Sequence, residues 1–241
     1  MNLVKKGTKI ISILMSSVLV LSAVGCGRVV TGSKEADNGL TAFNEIVKAY
    51  PENKGFHNAL QHWGFKLPTG EKFEWSKDMS ANKADYAMVM LADPLIKAGL
   101  DVNKLDKNEW IFEPAGRSEG EDLPNRLIKP YNVSDKKEDS NGSEDSMRRL
   151  LKADSKIIKY HKDLQHYRLV LGEGNEVQWT EKLGLNDADM IFVLKAEPLV
   201  KAGLDVSKLE GSGWMFKEAS KDDMGMGENP DQIIQVYDIK K

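Results

Sequence analysis

Pro94-Leu-Ile-Lys-Ala-Gly-Leu-Asp-Val-Asn-Lys-Leu105 recurs as Pro198-Leu-Val-Lys-Ala-Gly-Leu-Asp-Val-Ser-Lys-Leu209. The separation is 104 residues, and the same shift sets Trp75 on Trp179, Trp110 on Trp214 and Phe112 on Phe216. From Lys48 to Ala115 it gives 27 identities in 68 ungapped positions. A repeat of this length is a duplicated structural unit, so any fold assigned to one copy must also suit the other. The expected organisation is a repeat module over 40–133, a charged linker over 134–143 and a second module over 144–241. Each copy is close to the smallest size that buries an independent core, and each is expected to fold by itself.

Local patterns give one plan for both copies. Phe43, Ile46, Val47 and Tyr50 fall at helical spacing before Pro51, and Met147, Leu150 and Leu151 take the equivalent places in a helix over Ser143–Ala153. Leu60–Leu67 and Lys72–Trp75 flank a Gly-containing turn, as do Leu164–Leu171 and Glu176–Trp179, which predicts a hairpin with one buried face. The apolar runs Tyr86–Leu91 and Met190–Leu194 read as strands buried on both faces.

In the repeated motif itself, Pro94 and Pro198 suit a first helical turn, and Gly99 and Gly203 suit the left-handed residue that ends it. Strands over Trp110–Phe112 and Leu127–Val133 follow, matched by Trp214–Phe216 and Ile233–Ile239. Pro130 lacks an N–H and points to an edge strand in copy one. The expected fold class is α+β: two tandem homologous modules, each a mostly antiparallel sheet with short helices.

The N-terminus has a different grammar. Lys5, Lys6 and Lys9 precede an apolar or small-residue run from Ile10 to Val24, too short to cross a bilayer comfortably. It has the form of a signal peptide over 1–25. Its end, Ser22-Ala-Val-Gly-Cys26, resembles the lipobox of bacterial lipoproteins, with Ala23 where Leu is usual. The resemblance implies cleavage before Cys26 and a covalent diacylglycerol on its sulfur. Its two acyl chains, palmitate among the fatty acids expected, suffice for stable membrane anchoring on the extracytoplasmic face. Residues 26–39 are small, polar and charged, and read as the lipidated cysteine and a flexible tether.

Charge and chemistry then narrow the function. The net charge of −3 becomes −6 when the three signal-peptide lysines are removed, so nucleic acid is not expected as a partner. Hydrophobic residues at 41% and charged ones at 29% fit a globular body and exclude both a disordered chain and a polytopic membrane protein. A single cysteine cannot form an internal disulfide.

All four histidines fall at matching positions, His57 with His161 and His62 with His166. They are the candidate metal or haem ligands, although a spacing of five sets two rings apart on one helix and on opposite faces of one strand. Trp63 and Tyr167 are the candidate ligand-binding aromatics, and the other tryptophans fit a core. The acidic loops 118–122 and 222–231 offer oxygen donors without the order of a calcium-binding loop. No phosphate-binding loop, nucleophile elbow or zinc-protease motif occurs, and no catalytic residue is assigned.

The expected function is that of a lipid-anchored extracytoplasmic binding or interaction protein of the bacterial cell envelope. Its partner would be a small molecule, a glycan or an envelope protein, with no cofactor beyond the lipid. The alternatives are a haem or metal carrier using the histidines, and a cell-envelope hydrolase.

Overall fold

A computed structural model describes residues 32–58, 60–77, 84–118, 121–132, 142–153, 157–172, 174–221 and 228–239. Cys26, the expected signal peptide and most of the expected linker lie outside them. Within the compact unit from Thr31 onward, the chain makes two six-stranded sheets with few helices, an α+β arrangement.

The first sheet holds β1 (Lys54–His57), β2 (His62–Lys66), β3 (Lys72–Ser76), β4 (Tyr86–Leu91), β5 (Ile111–Glu113) and β8 (Arg126–Tyr131). Its strands lie in the order β1-β2-β3-β4-β8-β5 and every pairing is antiparallel. A two-stranded ribbon of β6 (Gly116–Ser118) and β7 (Glu121–Leu123) interrupts it. The second sheet repeats the plan with β9 (Ile158–His161), β10 (His166–Val170), β11 (Glu176–Thr180), β12 (Met190–Lys195), β13 (Trp214–Lys217) and β16 (Gln232–Tyr237). Its order is β9-β10-β11-β12-β16-β13, and its ribbon is β14 (Ser220–Lys221) with β15 (Glu228–Asn229).

Strand periodicity decides which face is buried. Phe73 and Trp75 on β3, Tyr86, Met88 and Met90 on β4, and Leu127 and Tyr131 on β8 point to one side and are almost fully covered. Val177 and Trp179, Met190 and Phe192, and Ile233 and Tyr237 do the same in the second sheet. Pro130 is not on an edge strand, because β8 lies between β4 and β5. It sits past the end of β5, which pairs only with Arg126 to Ile128, so no ladder bond is asked of its missing N–H. Strands β1 and β9 were not legible as strands: Lys54-Gly-Phe-His57 is largely exposed and shows no alternation.

Helix α1 spans Gly32–Ala49 and α3 spans Ser143–Ala153, with the short α2 (Asp93–Lys97) and α4 (Ala196–Lys201) inside the repeated motif. The flexible tether expected to reach residue 39 is therefore shorter, since the helix begins at Gly32. Ala36, Leu40, Phe43 and Ile46 form its buried stripe, and Ala36 and Gly39 are small because the sheet comes close. A carbon added at Gly39 would meet the Tyr167 ring at 3.2 Å.

These helices are exchanged between copies. Helix α1, from copy one, packs on β9 and β11 of the second sheet, while α3, from copy two, packs on β3 of the first. Trp179 donates its indole N–H to the Gly39 carbonyl at 2.9 Å, and Trp75 donates to the Ser143 carbonyl at 3.0 Å. Gly39 and Ser143 are themselves 104 residues apart. Phe43 contacts Phe65, Phe73 and Trp75 of the first sheet and Trp179 of the second. One continuous hydrophobic cluster runs through both copies, in place of one core per copy.

The repeated motif closes the arrangement. Gly99 and Gly203 take φ of 102° and 105°, and each ends its short helix as its sequence predicts. The two turns then meet: Asp101 N–H donates to the Ala202 carbonyl at 2.9 Å, and Asp205 N–H donates to the Ala98 carbonyl at 2.8 Å. A carbon added at either glycine would lie 2.9 Å from the carbonyl oxygen of the other. The copies are joined about a local twofold relation that passes between these glycines.

Candidate functional site

The repeated His-x-x-Leu-Gln-His segment is a hairpin turn. His57 Nδ1 accepts from the Leu60 N–H at 3.1 Å, and His161 Nδ1 accepts from the Leu164 N–H at 3.1 Å. Gln61 and Gln165 both have φ of 50°, a conformation few side-chain-bearing residues adopt. Their carbonyls accept from the Lys77 and Glu181 N–H groups. The turn also corrects the geometry expected from a spacing of five. The strand ends between the two histidines, so His57 pairs with His62, and His161 with His166, on one face of adjacent strands.

The inner members of each pair differ in their surroundings. His62 is buried, with Nδ1 3.4 Å from Glu74 Oε2 and Nε2 3.3 Å from the Ala84 carbonyl. In the second copy Gln178 replaces Glu74. The His166 ring nitrogens have no well-formed hydrogen bond among the described residues, although Asn186, the Ala188 backbone and Gln178 lie around them. Burial lowers the His166 pKa from 6.5, with those neighbours opposing part of the shift. Among the described residues, no group of three or more His, Cys, Asp or Glu could hold a metal ion.

Trp63 and Tyr167 occupy equivalent places on the inner side of the sheets. Trp63 is half-buried, packed on Phe56 with centroids 4.7 Å apart and beneath the Lys54 ammonium. Tyr167 is covered by α1 at Gly39 and packs on Tyr160 and Trp179. The two aromatics thus bear on packing between elements.

The feature that sequence patterns did not single out lies on the outer face of the second sheet. Arg168 on β10, Glu176 and Gln178 on β11, and Gln232 on β16 are all buried, although an outer face usually carries solvated side chains. Arg168 grips Glu176 with two N–H groups, one at 2.8 Å from Oε2 and a shorter one to Oε1. The Gln178 amide donates to Glu176 Oε2 at 2.8 Å. Fixed in this way, Gln178 keeps its own oxygen buried and without a hydrogen bond among the described residues. A buried ion pair adds little to stability unless its geometry is good, and here bidentate contact and a third donor supply that geometry.

Beside this group the surface has a small, open depression of about 90 Å³. Ile191, Val193 and Ile234 line it with apolar surface, and Arg168, Gln178 and Lys217 are among its polar walls. The equivalent positions in the first sheet are Gly64, Lys72 and Glu74 for Arg168, Glu176 and Gln178. A comparison of the two copies, position by position, is the signal that could have found the site: the inner faces stay apolar in both, while Gly64, Lys72 and Glu74 on the outer face give way to Arg168, Glu176 and Gln178.

Comparison with protein-family models, with curated proteins and with solved structures gave no match to this chain.

Proposed function

We propose that this chain is a lipid-anchored binding protein of the bacterial cell envelope, built from two homologous copies of one unit and exposed on the extracytoplasmic face. The lipobox-like Ser22–Cys26 supports the anchor, and the acidic body supports a partner other than nucleic acid. The observation that carries the binding reading is the depression on the second sheet, where apolar residues lie beside an immobilised Arg168–Glu176–Gln178 group. Ligand sites combine those two features: apolar area gives affinity, and a few fixed polar groups give orientation.

Native mass spectrometry of residues 27–241 tests the reading. It expects a co-purified small molecule, or one captured from an envelope extract, that is lost when Arg168 and Glu176 are both replaced by Leu in a variant that still folds. A folded wild-type chain that captures nothing would count against it. The anchor is tested separately. Cys26→Ser should move the protein from the membrane to the soluble fraction and abolish lipid labelling, and an unchanged membrane fraction would refute it.

A further inference from the structure

Building on the binding reading, we infer that the depression of the second copy takes an elongated carboxylic acid with an apolar body, its carboxylate held by Lys217. The cation is identified by comparing the copies. In the first sheet Glu113 on β5 pairs in register with Arg126 on β8, and their side chains form an ion pair. The same register in the second sheet brings Lys217 on β13 opposite Gln232 on β16. Gln232 is neutral and turns its amide N–H toward the Gly174 carbonyl. Among the described residues no carboxylate pairs with Lys217, while the other cation of the depression, Arg168, is already bound to Glu176. Arg168 and Glu176 cancel, so the described residues that line the depression carry one net positive charge, at the Lys217 end.

Shape follows from strand order. Lys217 lies three strand spacings from β11, roughly 14 Å across the sheet. Ile234 and Val193 lie between the Lys217 end and the Arg168–Gln178 end. A ligand filling that path carries its anion at one end and aliphatic surface along its middle. A short apolar peptide with a free C-terminus and a medium-chain fatty acid share this chemistry.

The test is a titration of the full mature chain, followed by amide NMR, with N-acetyl-Leu-Leu, octanoate, and the primary amide of each. Saturable shifts are expected at Lys217, Val193 and Ile234, with each responding acid about tenfold stronger than its amide. Response to the dipeptide alone, or to octanoate alone, assigns the source, and both outcomes support the proposal. Lys217→Met should erase the acid–amide difference while leaving the unfolding midpoint unchanged. Ile234→Glu, which gives Lys217 an internal carboxylate, should abolish the shifts. No shift with either acid, shifts elsewhere, or equal response to acid and amide overturns the proposal. A co-purified ligand that is not an acid would overturn it too, yet leave the binding reading intact.

Discussion

Single residues carry the most distinct physical demands in this chain. Gly99 must combine a φ of 102° with a backbone approach that leaves no room for a side chain. Gly99→Ala would meet the Gly203 carbonyl oxygen at 2.9 Å, and both strain and steric conflict would act on the join between copies. The expected loss is about 2 kcal/mol or more, read from the urea midpoint. Gly55, whose added carbon would touch nothing within 4 Å, serves as the control.

His166 gives a prediction in pH. Its folded pKa is lowered from 6.5 by burial, so the unfolded chain takes up a proton that the folded chain resists. The contribution is fully present above about pH 6.5 and is lost as pH falls below it. Urea midpoints at about pH 7.5 and about pH 5.5 should differ in the wild type, and His166→Asn should reduce that difference.

At the level of elements, α1 is held by tertiary contacts more than by its own propensity. Its stripe Ala36, Leu40, Phe43 and Ile46 is legible in sequence from Leu40 onward, where large apolar residues mark the period. The first turns were not legible, since Ala36 and Gly39 look like tether residues until the sheet beside them is known. Phe43 is the common point of contact for the aromatic rings of both sheets. Phe43→Ala should cost about 3–5 kcal/mol in a single cooperative transition, followed by both circular dichroism and tryptophan fluorescence. Two separate transitions would show that each sheet melts independently. The histidine hairpins make the complementary point. Sequence gave their spacing, but only the turn at Gln61 and Gln165 brings both rings to one face.

For the whole molecule, exchange of helices changes the meaning of the duplication. A chain with two self-sufficient copies would survive being cut in the linker and separated. Here each sheet is covered by the other copy's helix, so the isolated segment 142–241 keeps the second sheet but loses α1. In that segment α3 is without the sheet it covers in the full chain, and the second sheet is without its covering helix. The expected outcome is a segment unfolded when dilute, folding as concentration rises into a dimer in which two α3 helices are exchanged. Analytical ultracentrifugation with circular dichroism would decide it, and a folded monomer at low concentration would refute it.

The sequence alone determined the number of copies, the order of the helices and of five of the six sheet strands in each, the ends of the motif helices, and the location of the inner aromatic positions. All of these depend on contacts close along the chain or on a two- or 3.6-residue period, which a linear pattern records directly. Only the tertiary structure decided that the helices cross between copies and that Gly99 and Gly203 face one another. It also gathered Arg168, Glu176, Gln178 and Lys217 around one depression. Those results depend on which surfaces meet after each element has formed, and two homologous copies offer similar apolar stripes to their own sheet and to its neighbour. The repeated Pro-Leu-x-Lys-Ala-Gly-Leu-Asp segment stands at that boundary: its turns follow from its residues, while its role as the join between copies exists only in the folded chain.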